Sequence, residues 1–429
     1  MSNTTSNSEA LPLPWPGLLS LKLQLHKYSP VAYLYFFFNS FGLPTGLFYT
    51  TILSPLFYLW LIYQGKRKVT LRFVMCLAPF VAVQMFLGVD SYFYYARSCI
   101  LLWTVYITVY AFAVALPRIG NLERFFEHLI AANFFIAMLA VLLIPTPLVA
   151  LVWNNGEHLL DPTAYTSRLA LLTSEPSVYG FLMAPLLVFA ALRLLYRPVR
   201  RNLLYMAFIV IPMLLSQSFG AISICSAGIL VALLTILPNL FKQRSTRVAL
   251  LGGAFLLVLL VAVALVVPNP LTARFAAVVN GTDSSVQSRT TNGLALAYLL
   301  VPPKQLLWGL GLGQTKLQDV SSPGASLGFG NAVIPNSIAD MFVSFGLVAV
   351  FLKLAVEIYF FFRFRVFRNT FQLSMYVVTF LLQFTGSNLM DVQEYLMWVL
   401  AFAPLFPVMN RPNKLPDPLL GVARTSVAG

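Results

Sequence analysis

A carboxylate, a proline and two serines stand together in LLTSEPSVYG, residues 171–180, immediately before a long apolar run. Glu175 in this setting admits two readings. Pro176 suits the first turn of a helix, where its missing N–H leaves nothing unpaired, and Ser174 or Glu175 can cap that turn; Glu175 is then a helix cap. A carboxylate held at the mouth of a membrane helix can also accept a proton as a general base. Arg168, seven residues upstream, points toward chemistry, because it would set a cation beside the carboxylate in one membrane-edge pocket.

Other residues extend this constellation. Arg289, in TDSSVQSRTTNG, is either a solvated loop cation or a phosphate ligand, since a guanidinium grips phosphate in a bidentate fork. Arg168 and Arg289 from two loops would together clamp one diphosphate. Asn336 and Asp340, in VIPNSIADMFVSFG, share a helix face, and an aspartate at a membrane segment is a functional suspect by default; Arg97 is its candidate partner. Lys304 is a further cation of the same region. Lys353 and Glu357, at i and i+4, are expected to satisfy each other.

Some patterns read as purely structural. Ser216, Gln217, Ser218 and Gly220 fit a tight turn. Gly309, Gly311 and Gly313 fit close packing or a turn, because the order and strand–helix setting of a phosphate-binding glycine loop are absent. His26, His128 and His158 are scattered without metal-ligand spacing, and no paired aspartates suit Mg²⁺. Neither a metal nor a cofactor is expected.

The elements that must position these residues follow from composition. The 429-residue chain is 59% hydrophobic and only 10% charged, against about 25% charge in soluble domains. Its apolar blocks run to about 20 residues, the length of a transmembrane helix, and are apolar all round, which excludes a barrel of alternating strands. The expected fold is an all-α polytopic membrane protein, a single integral membrane domain over residues 1–429. About twelve spans are expected, near 29–43, 45–64, 70–88, 92–116, 125–145, 178–196, 203–217, 219–240, 248–267, 334–361, 370–388 and 392–409. Cys76, Cys99 and Cys225 fall in apolar blocks and suggest neither disulfides nor metal.

The net charge of +14 does not require nucleic acid. Short basic clusters (residues 66–68, Arg118 with Arg124, 197–201, 242–247, 363–368) alternate to one side. The positive-inside rule makes that side cytoplasmic, with a leader over 1–28 and a tail over 410–429 on it. The leader lacks the order of a cleavable signal. Two longer segments, 146–177 and 268–333, then share the opposite face, and loops of that length usually carry function.

RLALLTSEPSVYG, LSQSFGAIS, SRTTNGLALAYLLVPPKQLLWGLGLG and NSIADMFVSFGLVAV occur in the order found in the O-antigen polymerase and O-antigen ligase superfamily of bacterial surface polysaccharide assembly, which the chain resembles over roughly residues 160–350. The resemblance implies a C-type glycosyltransferase-like membrane fold with two periplasmic loops, an undecaprenyl-diphosphate-linked glycan as donor and acceptor, and metal-independent chemistry at the periplasmic face of the inner membrane. Carried over by position, Arg168, Glu175 and Ser177 match the family's Arg-to-Glu-Pro-Ser segment, and Arg289 its outer-loop arginine. Lys304, Asn336 and Asp340 join them as substrate-binding candidates. Two departures set the chain apart from the ligases: Ser218-Phe219-Gly220 replaces Ser-Arg-Gly, and Pro335-Asn336 replaces His-Asn.

The expected activity is therefore polymerisation of lipid-linked repeat units for O-antigen, capsule or exopolysaccharide. Arg168 and Arg289 would hold the diphosphate, and Glu175 would act as base. A helix N-terminus favours anionic groups, so Glu175 suits orienting the acceptor or Arg168 equally well. Membrane lipid and a chain-length regulator are the expected partners. A ligase acting on lipid A core is the first alternative. A flippase for lipid-linked oligosaccharide is the second; it would show broken helices and ionisable groups near the midplane, whereas the candidate residues crowd one edge.

Overall fold

The computed structural model describes residues 49–154, 168–171, 173, 175–240, 276, 280–281, 284–317, 334, 336–386 and 389–409. The expected spans at 29–43 and 248–267, the leader and the tail lie outside them. The chain is a mostly helical, polytopic membrane protein. In order, its main helices are α1 (Tyr49–Tyr63), α2 (Val69–Leu87), α3 (Tyr92–Ala115), α4 (Leu122–Leu142), α5 (Pro176–Tyr196), α6 (Arg200–Ser216), α7 (Phe219–Leu240), α8 (Ser284–Arg289), α9 (Thr291–Leu300), α10 (Ser337–Arg363), α11 (Thr370–Leu382) and α12 (Val392–Phe402). A two-stranded antiparallel ribbon, β1 (Trp153–Asn154) with β2 (Arg168–Leu169), precedes α5.

Six helices among the described residues are long and apolar enough to cross a membrane: α2, α3, α4, α5, α7 and α10. This corrects the expectation of full spans at 370–388 and 392–409. At a rise of 1.5 Å per residue, the 13 residues of α11 and the 11 of α12 reach about 20 and 16 Å, short of the roughly 30 Å hydrocarbon core. Capping explains where they begin. Asn369 accepts hydrogen bonds from the Phe371 and Gln372 amides, and Asp391 from that of Gln393. Such caps satisfy amides that the helix leaves unpaired.

The bundle is organised around α5, which is buried on nearly every face and packs on α4, α6, α7, α11 and α12. Phe126, Phe189, Phe371 and Phe406 from four segments interlock there, with ring centroids 4.8–6.2 Å apart. Hydrophobicity alone does not drive helices together in lipid, so close backbone approach at small residues matters. Gly180 provides it on α5, where a Cβ would stand 2.8 Å from those of Ser218 and Ala221. Gly228 provides it on α7, where the Ser374 hydroxyl donates to the Gly228 carbonyl at 3.0 Å. By contrast, α2 turns Val74, Met75 and Phe86 outward, as a lipid-facing helix should. Cys225 is buried and Cys76 exposed.

A second correction concerns α10. It is broken at Gly346, whose φ of 77° and ψ of −176° are not helical. The segment 306–311, expected to belong to an outer loop, inserts at the break. The Leu310 and Gly311 amides donate to the Val343 and Ser344 carbonyls, and the Leu347 and Val348 amides to those of Leu306 and Leu307. A Cβ on Gly309 would lie 2.5 Å from the Phe345 nitrogen, so the glycines serve close packing as their pattern suggests. Non-helical backbone at membrane depth needs partners within the protein. Gln84 supplies them, donating to the Trp308 and Ser344 carbonyls at 2.7 and 2.8 Å, while the Tyr95 hydroxyl holds its oxygen at 2.7 Å.

Candidate functional site

Glu175 occupies the N-cap position of α5 with extended backbone, and Pro176 follows at the first helical position. Its side chain makes no capping hydrogen bond. The carboxylate is 57% exposed and meets two side-chain groups. The Ser177 hydroxyl donates to Oε2 at 3.0 Å, and the Arg289 Nη2 lies 3.6 Å from the same oxygen. That Nη2 also donates to the Ser177 hydroxyl at 3.4 Å. Carboxylate, hydroxyl and guanidinium thus form a triangle over the first turn of α5, where the helix presents free amides and positive potential.

Arg289 ends α8. Its backbone is fixed by Asn336, the buried N-cap of α10. The Asn336 amide nitrogen donates to the Arg289 carbonyl at 2.9 Å and to the Phe384 carbonyl at 2.7 Å, and its oxygen accepts from the Ala339 amide at 3.0 Å. Asn336, expected among the substrate ligands, thus has its amide engaged with the backbone of three segments. Asp340 accepts from the Leu389 amide at 3.0 Å and so anchors the turn between α11 and α12. Arg97, its candidate partner, is exposed and makes no ion pair among the described residues. Lys304 is exposed in a turn over Pro303–Gln305, and no contact among the described residues ties it to the triangle.

Arg168 departs most from expectation. Antiparallel pairing of Asn154 with Arg168 brings it to the end of α6. There its Nε donates to the Ser216 carbonyl at 3.2 Å and its Nη2 to that of Gln217 at 3.3 Å. Carbonyls at a helix C-terminus are unpaired and attract cations. The ion pair to Glu175 is accordingly made by Arg289 and not by Arg168. Gln217 adopts a left-handed conformation and the Ser218 amide donates to the Ser216 hydroxyl at 3.3 Å, so these polar residues satisfy a turn as read.

Sequence reasoning missed the connection 383–391. Gly386 sits where a Cβ would be 2.9 Å from the Phe181 ring and in ordinary contact, 3.6 Å, with the Arg289 Nη1, so its lack of a side chain makes room for the Phe181 ring beside the guanidinium. Gln393, buried, donates to the Val178 carbonyl at 3.4 Å. Asp391 is pushed from the ordinary 3.8 up to about 7, chiefly by burial, with the Gln393 amide pulling the other way and Glu394 adding to the rise. The available signal was the polar run QFTGSN within an otherwise apolar stretch.

Deeper in the bundle, Lys353 of α10 contacts Glu357 at 2.9 Å and Glu394 at 2.8 Å and donates to Gln383, which donates to Glu357 at 3.0 Å. The expected i, i+4 pair is present, within a larger network. This network and the break at Gly346 are features that a transporter would show. The chain matches no protein-family model and no curated protein.

Proposed function

We propose that the protein is a membrane glycosyltransferase that polymerises lipid-linked repeat units. The observation that carries this reading is the Glu175–Ser177–Arg289 triangle at the mouth of α5, with its carboxylate exposed. It combines an acceptor for a proton with a fork for an anionic leaving group. The resemblance to the O-antigen polymerase and ligase superfamily supplies the substrate class, an undecaprenyl diphosphate carrying glycan. The one-sided run of basic clusters supports a periplasmic position for the site at the inner membrane.

In the proposed reaction, a sugar hydroxyl of the incoming unit attacks the anomeric carbon of the growing chain. The new C–O bond forms as the bond to diphosphate oxygen breaks, and the hydroxyl proton passes to the Glu175 carboxylate. Arg289 and the amides of the first turn of α5 offset the charge developing on the diphosphate. Ser177 orients both partners. Arg168 braces the end of α6, and Asn336 sets the position of the Arg289 backbone. The test is chain elongation by purified protein with labelled lipid-linked repeat units. Products of increasing length support the polymerase, whereas transfer to lipid A core makes it a ligase.

The broken α10 and the buried Lys353 network favour a second reading, a flippase for the same lipid-linked glycan. In the same assay that activity moves the glycan across the bilayer without forming new glycosidic bonds.

A further inference from the structure

α5 carries a second polar site at its other end. Glu175 and Arg193 are 18 positions apart, about 27 Å along a helix at 1.5 Å per residue, so this site is separate from the triangle. We propose that it binds a phosphate group. A cavity of about 390 Å³ opens there, and its described lining consists of four arginines (Arg124, Arg193, Arg197, Arg201), two glutamates (Glu123, Glu127) and Asn121. Two positive charges are in excess.

The arginines are held in two ways. Arg193 is buried, 8% exposed, packed against the Phe189 ring and paired with Glu127 and Glu123. Its Nε has no hydrogen-bond partner, which is costly for a buried charged donor. Arg201 reaches Glu127 from outside at 2.9 Å, so one glutamate braces two guanidiniums. Arg124 and Arg197 are exposed and make no side-chain ion pair among the described residues. The N-termini of α4 and α6 begin at this cavity, and α6 has no side-chain cap, leaving first-turn amides open. A cluster that only oriented the chain in the membrane would need nothing but solvated charge. A cavity lined by four arginines, two of them exposed and uncommitted, beside two positive helix ends fits a tetrahedral oxyanion gripped by bidentate forks. At the end of a membrane helix the phosphate has two sources, the headgroup of an anionic phospholipid or a soluble phosphate.

The experiment uses full-length protein in neutral detergent, compared with the Arg124→Gln/Arg197→Gln variant, whose side chains are exposed and make no ion pair and so are dispensable for folding. One arm titrates dioleoylphosphatidylglycerol and counts bound lipid by native mass spectrometry, with dioleoylphosphatidylcholine as reference. The other compares melting temperature in inorganic phosphate and in chloride at equal ionic strength. The expected result is one saturable equivalent, or a phosphate-specific rise in melting temperature, with apparent affinity at least tenfold weaker in the variant. A response in the first arm alone assigns a lipid headgroup, and one in the second assigns soluble phosphate. Lipid loading without saturation, no response in either arm, or equal affinity in both proteins overturns the proposal.

Discussion

Glu175 with Arg289 and Lys353 with Glu357 and Glu394 are both charged clusters in an apolar bundle, yet they are held in opposite ways. The Glu175 carboxylate is more than half exposed, its guanidinium partner is 3.6 Å away, and it makes no capping bond. Glu394 is fully buried, Lys353 contacts three partners, and Gln383 closes the circuit. The exposed pair contributes little to stability, and the Glu175 carboxylate stays open to solvent. The buried cluster is closed, and removing one member leaves a charge stranded in low dielectric. The contrast teaches that charge in this fold is held in two ways, at an exposed helix mouth and in a closed buried network, and the proposed chemistry falls to the first.

The sharpest way to break that contrast is a pair of variants. Glu175→Gln should lower elongation on the order of 10²–10⁴-fold while leaving melting temperature and donor binding near normal. Near-normal elongation would remove Glu175 from catalysis, and lost donor binding would make it a positioning group. Lys353→Met should do the reverse. It should destabilise the protein by about 3–5 kcal/mol, read as apparent unfolding in detergent, because Glu394 and Glu357 lose their cation. A variant of unchanged stability would show that the buried cluster is not the structural one.

Arg289→Lys refines the exposed side of the comparison. The charge remains but the fork is lost, and turnover should fall by roughly 10²-fold with normal abundance in the membrane. Ordinary chain length and rate would leave Arg289 a solvated cation.

The smallest effect concerns the connection between the two clusters. Asp391 holds its proton up to about pH 7 when folded, against an ordinary value of 3.8. A raised carboxyl means that the folded state binds more protons than the unfolded one between about pH 4 and 7, so stability falls as pH rises through that window. Asp391→Asn keeps a good N-cap but cannot ionise. The expected outcome is that the two proteins melt alike near pH 4, and that the variant melts a few degrees higher at pH 8. Parallel melting curves across the whole range would refute the raised carboxyl.

What the sequence determined by itself is the membrane class, most helix positions and the segment that begins α5. Apolar blocks of spanning length, Pro176 at a first turn and the short basic clusters depend only on local composition and spacing, and those properties survive whatever the helices pack against. Glu175 and Arg289 were legible as candidates because charged residues are scarce on an apolar background, and Ser177 because it completes the Glu-Pro-Ser segment. Only the tertiary structure decided who partners whom. Arg168 lies nearest Glu175 in sequence, but strand pairing with Asn154 carries it to the end of α6, and Arg289, 114 positions downstream of Glu175, takes its place. Asn336 gave no sign in the sequence that its amide reaches two carbonyls from other segments. The break at Gly346 was equally hidden. A glycine in a helix is an ordinary sequence event, and it becomes a break only when the backbone of 306–311 arrives to claim the amides and carbonyls that the helix gives up. Hydrogen bonds between distant segments are set by how helices meet, and no local spacing records that.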